Sequence, residues 1–331
     1  MRSLAAFVGL LALAAVAPGA AAAAGSAEPK LDVPPAKLRA SLHCQSAVQN
    51  AKRTPILLVT GTGVDGHEAW PLGLQASLTL AHRPSCYLDF PEHTTGDIQV
   101  AAEYLVHAIR ATARRAGRSI AIYGVSQGGL LPRWALTYWP SLRPLVSDVV
   151  AVAGTQHGTT VSKALFAACG SSCRVVAAVW QQNAGSNFQR ALARYPDETP
   201  GNTGWTTVRT LTDEIVRPTG GRHATSALQG AANLVIQRVC PGRIVGHVGS
   251  AIDSVSYAAL IDAVNHPGPA EARRISRGVC GHPCPPGLDE ATTAAGTAAL
   301  SSIALSRTLL GADGVELLSS EPPVRRYALK R

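Results

Sequence analysis

Three short, mostly apolar runs, each ending at or beside a glycine, are the clearest pattern in the chain. They cover residues 55–60, 119–124 and 148–153. Runs of this length without alternating polar positions are typical of strands buried on both faces of a sheet. A weaker alternation over 205–211 predicts a fourth strand, and the segment 243–246 predicts a short fifth one.

Helical periodicity separates these predicted strands. After Asp97, a side chain suited to cap a helix, apolar residues recur at helical spacing up to the stop signal Gly117. Segments 127–139 and 290–310 also have helical patterns. Strands that alternate with helices predict an α/β protein with a mostly parallel central sheet and helices on both faces. Because no internal repeat or long linker divides the chain, we expect one domain over residues 28–331.

The first 27 residues have the pattern of a secretory signal peptide. Arg2 supplies a positive start, residues 4–17 are apolar, and small residues follow up to Ala27. The apolar run is shorter than the roughly 20 residues that a membrane-spanning helix needs. We therefore expect cleavage, secretion and no transmembrane anchor.

The charge of the chain is basic but dispersed. There are 30 Lys and Arg residues against 21 Asp and Glu, which gives a formal net charge of +9. These basic residues are mostly arginine, and they do not form the clusters with interleaved aromatic residues that nucleic-acid-binding proteins carry. We expect no nucleic acid among the partners.

The segment Gly124-Val-Ser-Gln-Gly128 lies between a predicted strand and a predicted helix. This is the nucleophile-elbow pattern, in which a serine occupies a strained turn and small flanking residues avoid clashes. It predicts Ser126 as a nucleophile and the backbone N–H of Gln127 as one donor to an oxyanion. The segment Gly61-Thr-Gly63 should supply the other donor, since Thr62 offers both its N–H and its hydroxyl.

A serine hydroxyl is a weak nucleophile and needs a histidine base that a carboxylate orients. In this fold the three residues follow the chain order serine, acid, histidine. Among the histidines after Ser126 we favour His247, because it directly follows the short predicted strand 243–246 and precedes small residues. His223 lies in a polar loop and is the less favoured choice.

The acid is expected at the carboxyl end of a strand, where ligand-facing residues of open α/β sheets lie. Asp213 follows the predicted strand over 205–211 and is our choice. Glu214 and Asp197 remain alternatives.

Several stretches, taken in order, resemble one family. They are residues 55–59 with Gly61-Thr-Gly63, Ser126-Gln-Gly-Gly129, Trp180-Gln-Gln182, Thr212-Asp-Glu-Ile-Val216, and His247 before Gly249-Ser250. Over about residues 44–310 the chain resembles the Candida antarctica lipase B type of secreted α/β-hydrolase. The resemblance implies the α/β-hydrolase fold and a secreted serine ester hydrolase acting on acylglycerols or other lipid esters, with no metal or organic cofactor. It implies the same triad of Ser126, Asp213 and His247, with Thr62 and Gln127 as the oxyanion hole.

The resemblance also implies a substrate pocket, with ordinary core packing as the alternative for each residue. The residues that it places there are Gln182, Ile215, Val216, Leu300, Ile303 and Ala304. Two positions depart from the family. Thr155 stands where the family has an aspartate on the acyl side, and Val125 stands where the fungal protein has a tryptophan on the alcohol side.

Seven cysteines in an exported chain predict disulfides rather than a metal site. The paired Cys-x-x-Cys spacing of structural zinc sites is absent. The resemblance implies the pairs Cys44–Cys86 and Cys240–Cys280. A third pair, Cys169–Cys173, is possible if the two Cα atoms approach within about 7 Å, and Cys284 is then left over.

Two other functions compete with ester hydrolysis. An acyltransferase would use the same triad and pass the acyl group to an alcohol. A non-catalytic binding protein of the cell envelope would need one triad position replaced, and none is. We expect a monomer that acts on a lipid or small ester, with a lipid–water interface as one place of action.

Overall fold

Seven strands form one sheet in the computed structural model, which describes residues 28–221 and 223–329. The strands are β1 (Leu42–Cys44), β2 (Ile56–Val59), β3 (Ser85–Leu88), β4 (Ile120–Val125), β5 (Val146–Val152), β6 (Gly204–Arg209) and β7 (Ala232–Val235). Their order across the sheet is β1-β3-β2-β4-β5-β6-β7. Only the edge strand β1 is antiparallel to its neighbour in this described sheet. The signal-peptide prediction for residues 1–27 lies outside the described residues.

Twelve α-helices accompany the strands over the described ranges. They are α1 (Pro35–Ala40), α2 (Gly66–Ala69), α3 (Leu74–Leu80), α4 (Ile98–Ala116), α5 (Gln127–Tyr138), α6 (Thr160–Cys169), α7 (Ala177–Gln181), α8 (Asn187–Leu192), α9 (Ile236–Val239), α10 (Ser254–Asn265), α11 (Glu290–Leu310) and α12 (Arg326–Leu329). In the part of the chain that the structure describes, none of the helices is both long and apolar enough to cross a membrane.

Successive residues of the central strands belong to two separate apolar layers. Leu57 packs in the layer that contains α4 and α5, whereas Ile56 packs in the layer that contains α3 and α10. Because neighbouring side chains of a strand point to opposite faces, one sheet is covered by helices on both sides. The predicted α/β architecture is confirmed. We propose that residues 28–331 form a single domain, a proposal that the one continuous sheet supports.

The sequence pattern predicts the central elements well. The predicted strands over 55–60, 119–124, 148–153 and 205–211 correspond to β2, β4, β5 and β6. The predicted helix after Asp97 is α4, whose Gln99 N–H donates to the Asp97 side chain and whose C-cap Gly117 has a φ of 67°. The helical patterns at 127–139 and 290–310 correspond to α5 and α11.

The strand predicted over 243–246 is wrong. The carbonyl of Val245 accepts hydrogen bonds from the hydroxyls of Thr210 and Thr212, at 2.9 and 2.8 Å. The Gln237 amide donates to the carbonyl of Arg243 at 3.0 Å. Side chains rather than a neighbouring strand therefore form the hydrogen bonds of these carbonyls. The strand that follows β6 in the sheet is the short β7 instead.

Three disulfides connect parts of the described chain. Cys44–Cys86 joins β1 to β3 at directly paired positions, and Cys240–Cys280 closes a second large loop. The possible third pair is also formed, since the Cα atoms of Cys169 and Cys173 are 5.1 Å apart. Cys284 is free and buried, so all of the expected pairings are present.

Candidate active site

Ser126 occupies the sharp turn between β4 and α5. Its backbone has φ 55° and ψ −122°, a strained conformation for a residue with a side chain. A Cβ atom on Gly124 would collide with the carbonyl oxygen of Gly128, and one on Gly128 would collide with the carbonyl oxygens of Val59 and Thr60. The two flanking glycines of the motif are therefore a steric requirement of the turn.

Asp213 and His247 are in direct contact. The Nδ1 atom of His247 lies 3.1 and 3.0 Å from the two carboxylate oxygens of Asp213. The backbone N–H groups of Ile215 and Val216 donate to Asp213 Oδ1 at 2.9 and 2.7 Å. These donors hold the carboxylate in place, facing the ring. With Nδ1 donating to Asp213, the Nε2 atom of the neutral ring is left to accept a proton.

The alternative acids have other partners. The Glu214 carboxylate accepts from the backbone N–H of His247 at 2.9 Å, so it holds the loop that carries the histidine rather than its ring. Asp197 is exposed and accepts from the N–H of Thr199 at 3.1 Å. The less favoured histidine, His223, is exposed.

The loop that carries His247 is attached to the strand that leads to Ser126. The hydroxyl of Tyr123, in β4, donates to the carbonyl of Ala251 at 2.8 Å. The hydroxyl of Ser250 donates to the carbonyl of His247 at 2.6 Å. The Tyr123 bond attaches the loop of His247 to β4, three residues before Ser126, and the Ser250 bond stabilises that loop internally.

A chain of side-chain hydrogen bonds surrounds Thr62. The Thr62 hydroxyl donates to Gln127 Oε1 at 2.7 Å and accepts from Gln182 Nε2 at 2.8 Å. The Thr155 hydroxyl donates to Gln182 Oε1 at 2.8 Å, which fixes the direction of the Gln182 amide. A Cβ atom on Gly61 would come within 2.9 Å of the Ser126 Cβ. The loop that precedes Thr62 therefore touches the elbow serine.

Comparison with known proteins identifies this arrangement. Lipase B of Pseudozyma antarctica is 34% identical to this chain over 235 residues, which are 70% of this chain and 67% of that protein. The chain belongs to the lipase B family. It is accordingly an ester hydrolase, and the resemblance drawn from the sequence motifs is confirmed.

Solved structures place this lipase B relative among the α/β-hydrolases. The crystal structure of Aspergillus fumigatus lipase B has a TM-score of 0.82 and 27% identity, and the match covers 91% of this chain and 73% of that chain. Bacillus licheniformis lipase BlEst2 in its propeptide form has a TM-score of 0.52 and 14% identity, over 70% of this chain and 54% of that chain. The second likeness shows the shared fold alone. No protein-family model matches the chain.

Two of the segments expected to border the substrate pocket of this lipase B relative meet at Thr159. The Thr159 hydroxyl donates to the carbonyl of Ile215 at 2.6 Å, and its N–H donates to the carbonyl of Gln182 at 2.8 Å. Val216 is buried, whereas Ile215 is 41% exposed. The structure thus brings Gln182 and Ile215 together, while their contact with a substrate stays a prediction.

The other expected pocket residues lie in different surroundings. Leu300, Ile303 and Ala304 are half-buried on α11, and a Cβ atom on Gly63 would come within 2.8 Å of the Ala304 Cα. Val125 is 7% exposed and packs in the apolar layer of α3 and α10. Thr155 is 2% exposed. The roles of Val125 and Thr155 on the two sides of an ester stay predictions.

Sequence analysis missed the roles of the residues that hold these segments in place. Thr159, Tyr123 and Glu214 each donate to or accept from a backbone group of another segment. Such bonds belong to no motif, so the sequence carries no local signal for them.

One group of side chains in the described ranges has the spacing of metal ligands. Asp65, His67 and Glu68 place ligand atoms within 4.8 Å of one another. Their carboxylates are already used, because Asp65 contacts His93 and the Glu68 carboxylate binds Arg307. These carboxylates therefore serve ion pairs between segments of the chain.

Proposed function

We propose that this protein is a serine ester hydrolase that works through a covalent acyl-enzyme, with Ser126 as nucleophile, His247 as base and Asp213 as the acid that orients it. The observation that carries the proposal is the contact of His247 Nδ1 with the buried carboxylate of Asp213, at 3.0 Å, in a chain whose Ser126 occupies a strained elbow. Such an arrangement leaves Nε2 as the proton acceptor for a serine hydroxyl.

In the first half of the reaction, Ser126 Oγ attacks the ester carbonyl carbon while His247 Nε2 accepts the hydroxyl proton. The carbonyl oxygen becomes an oxyanion, and Asp213 stabilises the positively charged imidazole. When the tetrahedral intermediate collapses, the bond to the alcohol oxygen breaks and His247 returns the proton to that oxygen. In the second half, a water molecule attacks the acyl-enzyme by the same route, and the acid and free Ser126 are released.

The oxyanion is stabilised by the N–H groups of Gln127 and Thr62 and by the Thr62 hydroxyl. The Gln127 N–H belongs to the first residue of α5, where backbone donors have no partner within the helix. The Thr62 hydroxyl donates to Gln127 Oε1 in the resting arrangement. Its proton turns to the oxyanion, while Gln182 Nε2, at 3.4 Å, stays on Gln127 Oε1.

The substrate we propose is an acylglycerol or another lipid ester, because the chain belongs to the lipase B family. Every proton transfer in the scheme uses a side chain of this protein, so the reaction needs neither a metal nor an organic cofactor. We further propose that the protein is secreted and monomeric. Three disulfides support secretion, since such bonds persist in oxidising compartments.

The test compares the wild-type protein with Ser126→Ala in the hydrolysis of a soluble p-nitrophenyl ester and of an emulsified triglyceride. We expect kcat to fall by about 10⁴ to 10⁶ with the fold unchanged. Product analysis in the presence of an added alcohol decides whether water or the alcohol accepts the acyl group. Predominant transfer to the alcohol at a low alcohol concentration would favour the acyltransferase alternative. Unchanged turnover in folded Ser126→Ala would exclude both the hydrolase and the acyltransferase with Ser126 as nucleophile.

A further inference from the structure

A buried cation on α11 binds the loop that contains Thr62. The side chain of Arg307 is only 7% exposed. Its guanidinium donates to the carbonyl of Gly63 at 3.0 Å and to both carboxylate oxygens of Glu68, at 2.8 and 2.9 Å. A further bond joins its Nε to Asp313 at 2.7 Å. A surface helix needs none of these bonds for its own stability.

The Arg307–Glu68 pair is ionised on both sides. The hydrogen bond between them raises the pKa of Arg307 and lowers the pKa of Glu68 from its ordinary range. Glu68 Oε2 also accepts from the backbone N–H of Asp65 at 2.9 Å, at the start of α2. The guanidinium therefore joins α11 to two consecutive parts of the chain after β2, the Gly63 carbonyl and the first turn of α2.

Gly63 is held on both sides. Its N–H donates to the carbonyl of His93 at 2.9 Å, and its carbonyl accepts from Arg307. Its φ of +81° is a left-handed conformation that favours glycine, and a Cβ atom there would come within 2.9 Å of the Ala304 carbonyl oxygen. The residue that follows Thr62 is thus packed directly against the backbone of α11.

We propose that Arg307 is a positioning residue for the oxyanion hole: through the Gly63 carbonyl and Glu68 it holds the loop in which Thr62 donates to the oxyanion. This inference rests on the proposed function. Donors to an oxyanion must lie about 2.7–3.1 Å from it. A small displacement of the loop therefore reduces the stabilisation of the transition state more than the binding of the ester. Helix α11 then supports the catalytic loop, whether or not its outer residues also touch substrate.

The test uses two variants of Arg307. Arg307→Met keeps an unbranched apolar side chain and removes the guanidinium, and Arg307→Lys keeps the positive charge without the paired hydrogen bonds to Glu68. The matched control is Arg325→Met, because Arg325, just before α12, binds the buried carboxylate of Glu103 in α4 at 3.1 Å and has no bond to the loop of Thr62 among the described contacts. Steady-state kinetics with a soluble ester give kcat and KM. A phenylboronic acid, whose tetrahedral adduct on serine places an oxygen in the oxyanion hole, gives a second readout.

For Arg307→Met we expect kcat to fall about tenfold to hundredfold, with KM within about twofold. Boronate affinity should fall by a similar factor, Arg307→Lys should recover part of both, and Arg325→Met should keep wild-type values. If Arg307→Met fails to fold, Glu68→Gln serves instead, and it should show the same fall in kcat with little change in KM. Wild-type kcat and boronate affinity in a folded variant, or equal losses in Arg325→Met, would overturn the inference. The proposed function fails separately, if the wild-type protein does not bind the boronate at all.

Discussion

The Nδ1 atom of His247 lies 3.0 Å from Oδ2 of Asp213, although the two residues are 34 positions apart in the chain. Both residues are buried, at 6% and 1% exposure. A buried carboxylate held by two backbone N–H groups keeps one tautomer of the ring, and that tautomer decides whether the histidine can accept a proton.

Asp213→Asn should lower kcat by about 10⁴, because an amide no longer selects the productive tautomer or stabilises the imidazolium. Glu214→Gln is the matched control, since Glu214 contacts the backbone N–H of His247 and not its ring. We expect a much smaller loss there. Steady-state kinetics on both folded variants give the two kcat values. A larger fall in kcat for Glu214→Gln than for Asp213→Asn would show that Glu214 is the acid that orients His247.

The Thr155 hydroxyl should matter for turnover although it is buried. Thr155→Val removes the donor that orients Gln182 toward Thr62, and we expect kcat to fall about tenfold, with recovery in Thr155→Ser. Thr203→Val is the control, because the Thr203 hydroxyl donates to Val146 at the start of β5, away from the elbow. Equal kcat values in Thr155→Val and the wild-type protein would show that turnover does not depend on the Thr155 hydroxyl.

The elbow glycine Gly128 should not tolerate a methyl group. Its Cβ would collide with backbone oxygens of Val59 and Thr60, so Gly128→Ala should cost more than about 2 kcal/mol of unfolding free energy. On α11, a Cβ atom on Gly296 meets nothing within 4 Å, and Gly296→Ala should stabilise by about 0.5–1 kcal/mol. Urea unfolding of both variants measures the difference. A Gly128→Ala protein as stable as the wild type would contradict the tight turn.

Asp148, near the start of β5, should make stability depend on pH. The carboxyl is 6% exposed, and its burial raises its pKa to about 6. The folded state therefore keeps a proton that the unfolded chain releases near pH 4, so stability falls as pH rises from about 4 to about 6 and stays lower above. Asp148→Asn should add up to about 3 kcal/mol at pH 7 relative to its effect at pH 4. An effect that is the same at both pH values would show that burial does not shift this group.

The two kinds of disulfide should differ in their contribution to stability. Cys44–Cys86 spans 42 positions and Cys169–Cys173 spans 4. In the chain-entropy description the long loop contributes about 4 kcal/mol and the short one about 2 kcal/mol. Double serine variants of each pair, unfolded in urea, should differ in this order. A larger loss for the short pair would point to a structural role of the end of α6 instead.

Local patterns predict those parts of the fold whose physical cause is local. The glycines around Ser126, the cap of α4 at Asp97 and the buried runs of β2 and β4 can all be found from a few neighbouring residues. Strands β1, β3 and β7 could not be found this way, because each contains a polar residue within its three or four positions and forms no uniform apolar run. The prediction of His247 rests in part on a strand over 243–246 that is not formed. The ring still contacts Asp213, because side chains such as Thr212 hold that loop.

The supports of the site are set by contacts that are distant in the chain. Arg307 binds Glu68 and Gly63 across separations of 239 and 244 positions. An arginine within an Ala- and Leu-rich helix gives no signal of such partners. Thr62 and Gln127 lie in motifs and could be proposed for the oxyanion hole from the sequence, whereas the contacts that hold their loop required the structure.

The proposed mechanism requires that Ser126 carry the acyl group. The most direct measurement is labelling with a serine-reactive phosphonate, followed by mass spectrometry of the digested protein and by assay of the remaining ester hydrolysis. We predict one label per molecule, on the peptide that contains Ser126, with activity lost in proportion to labelling and with no label on Ser126→Ala. Full hydrolytic activity in the labelled protein, or a stoichiometric label on another residue, would contradict the account.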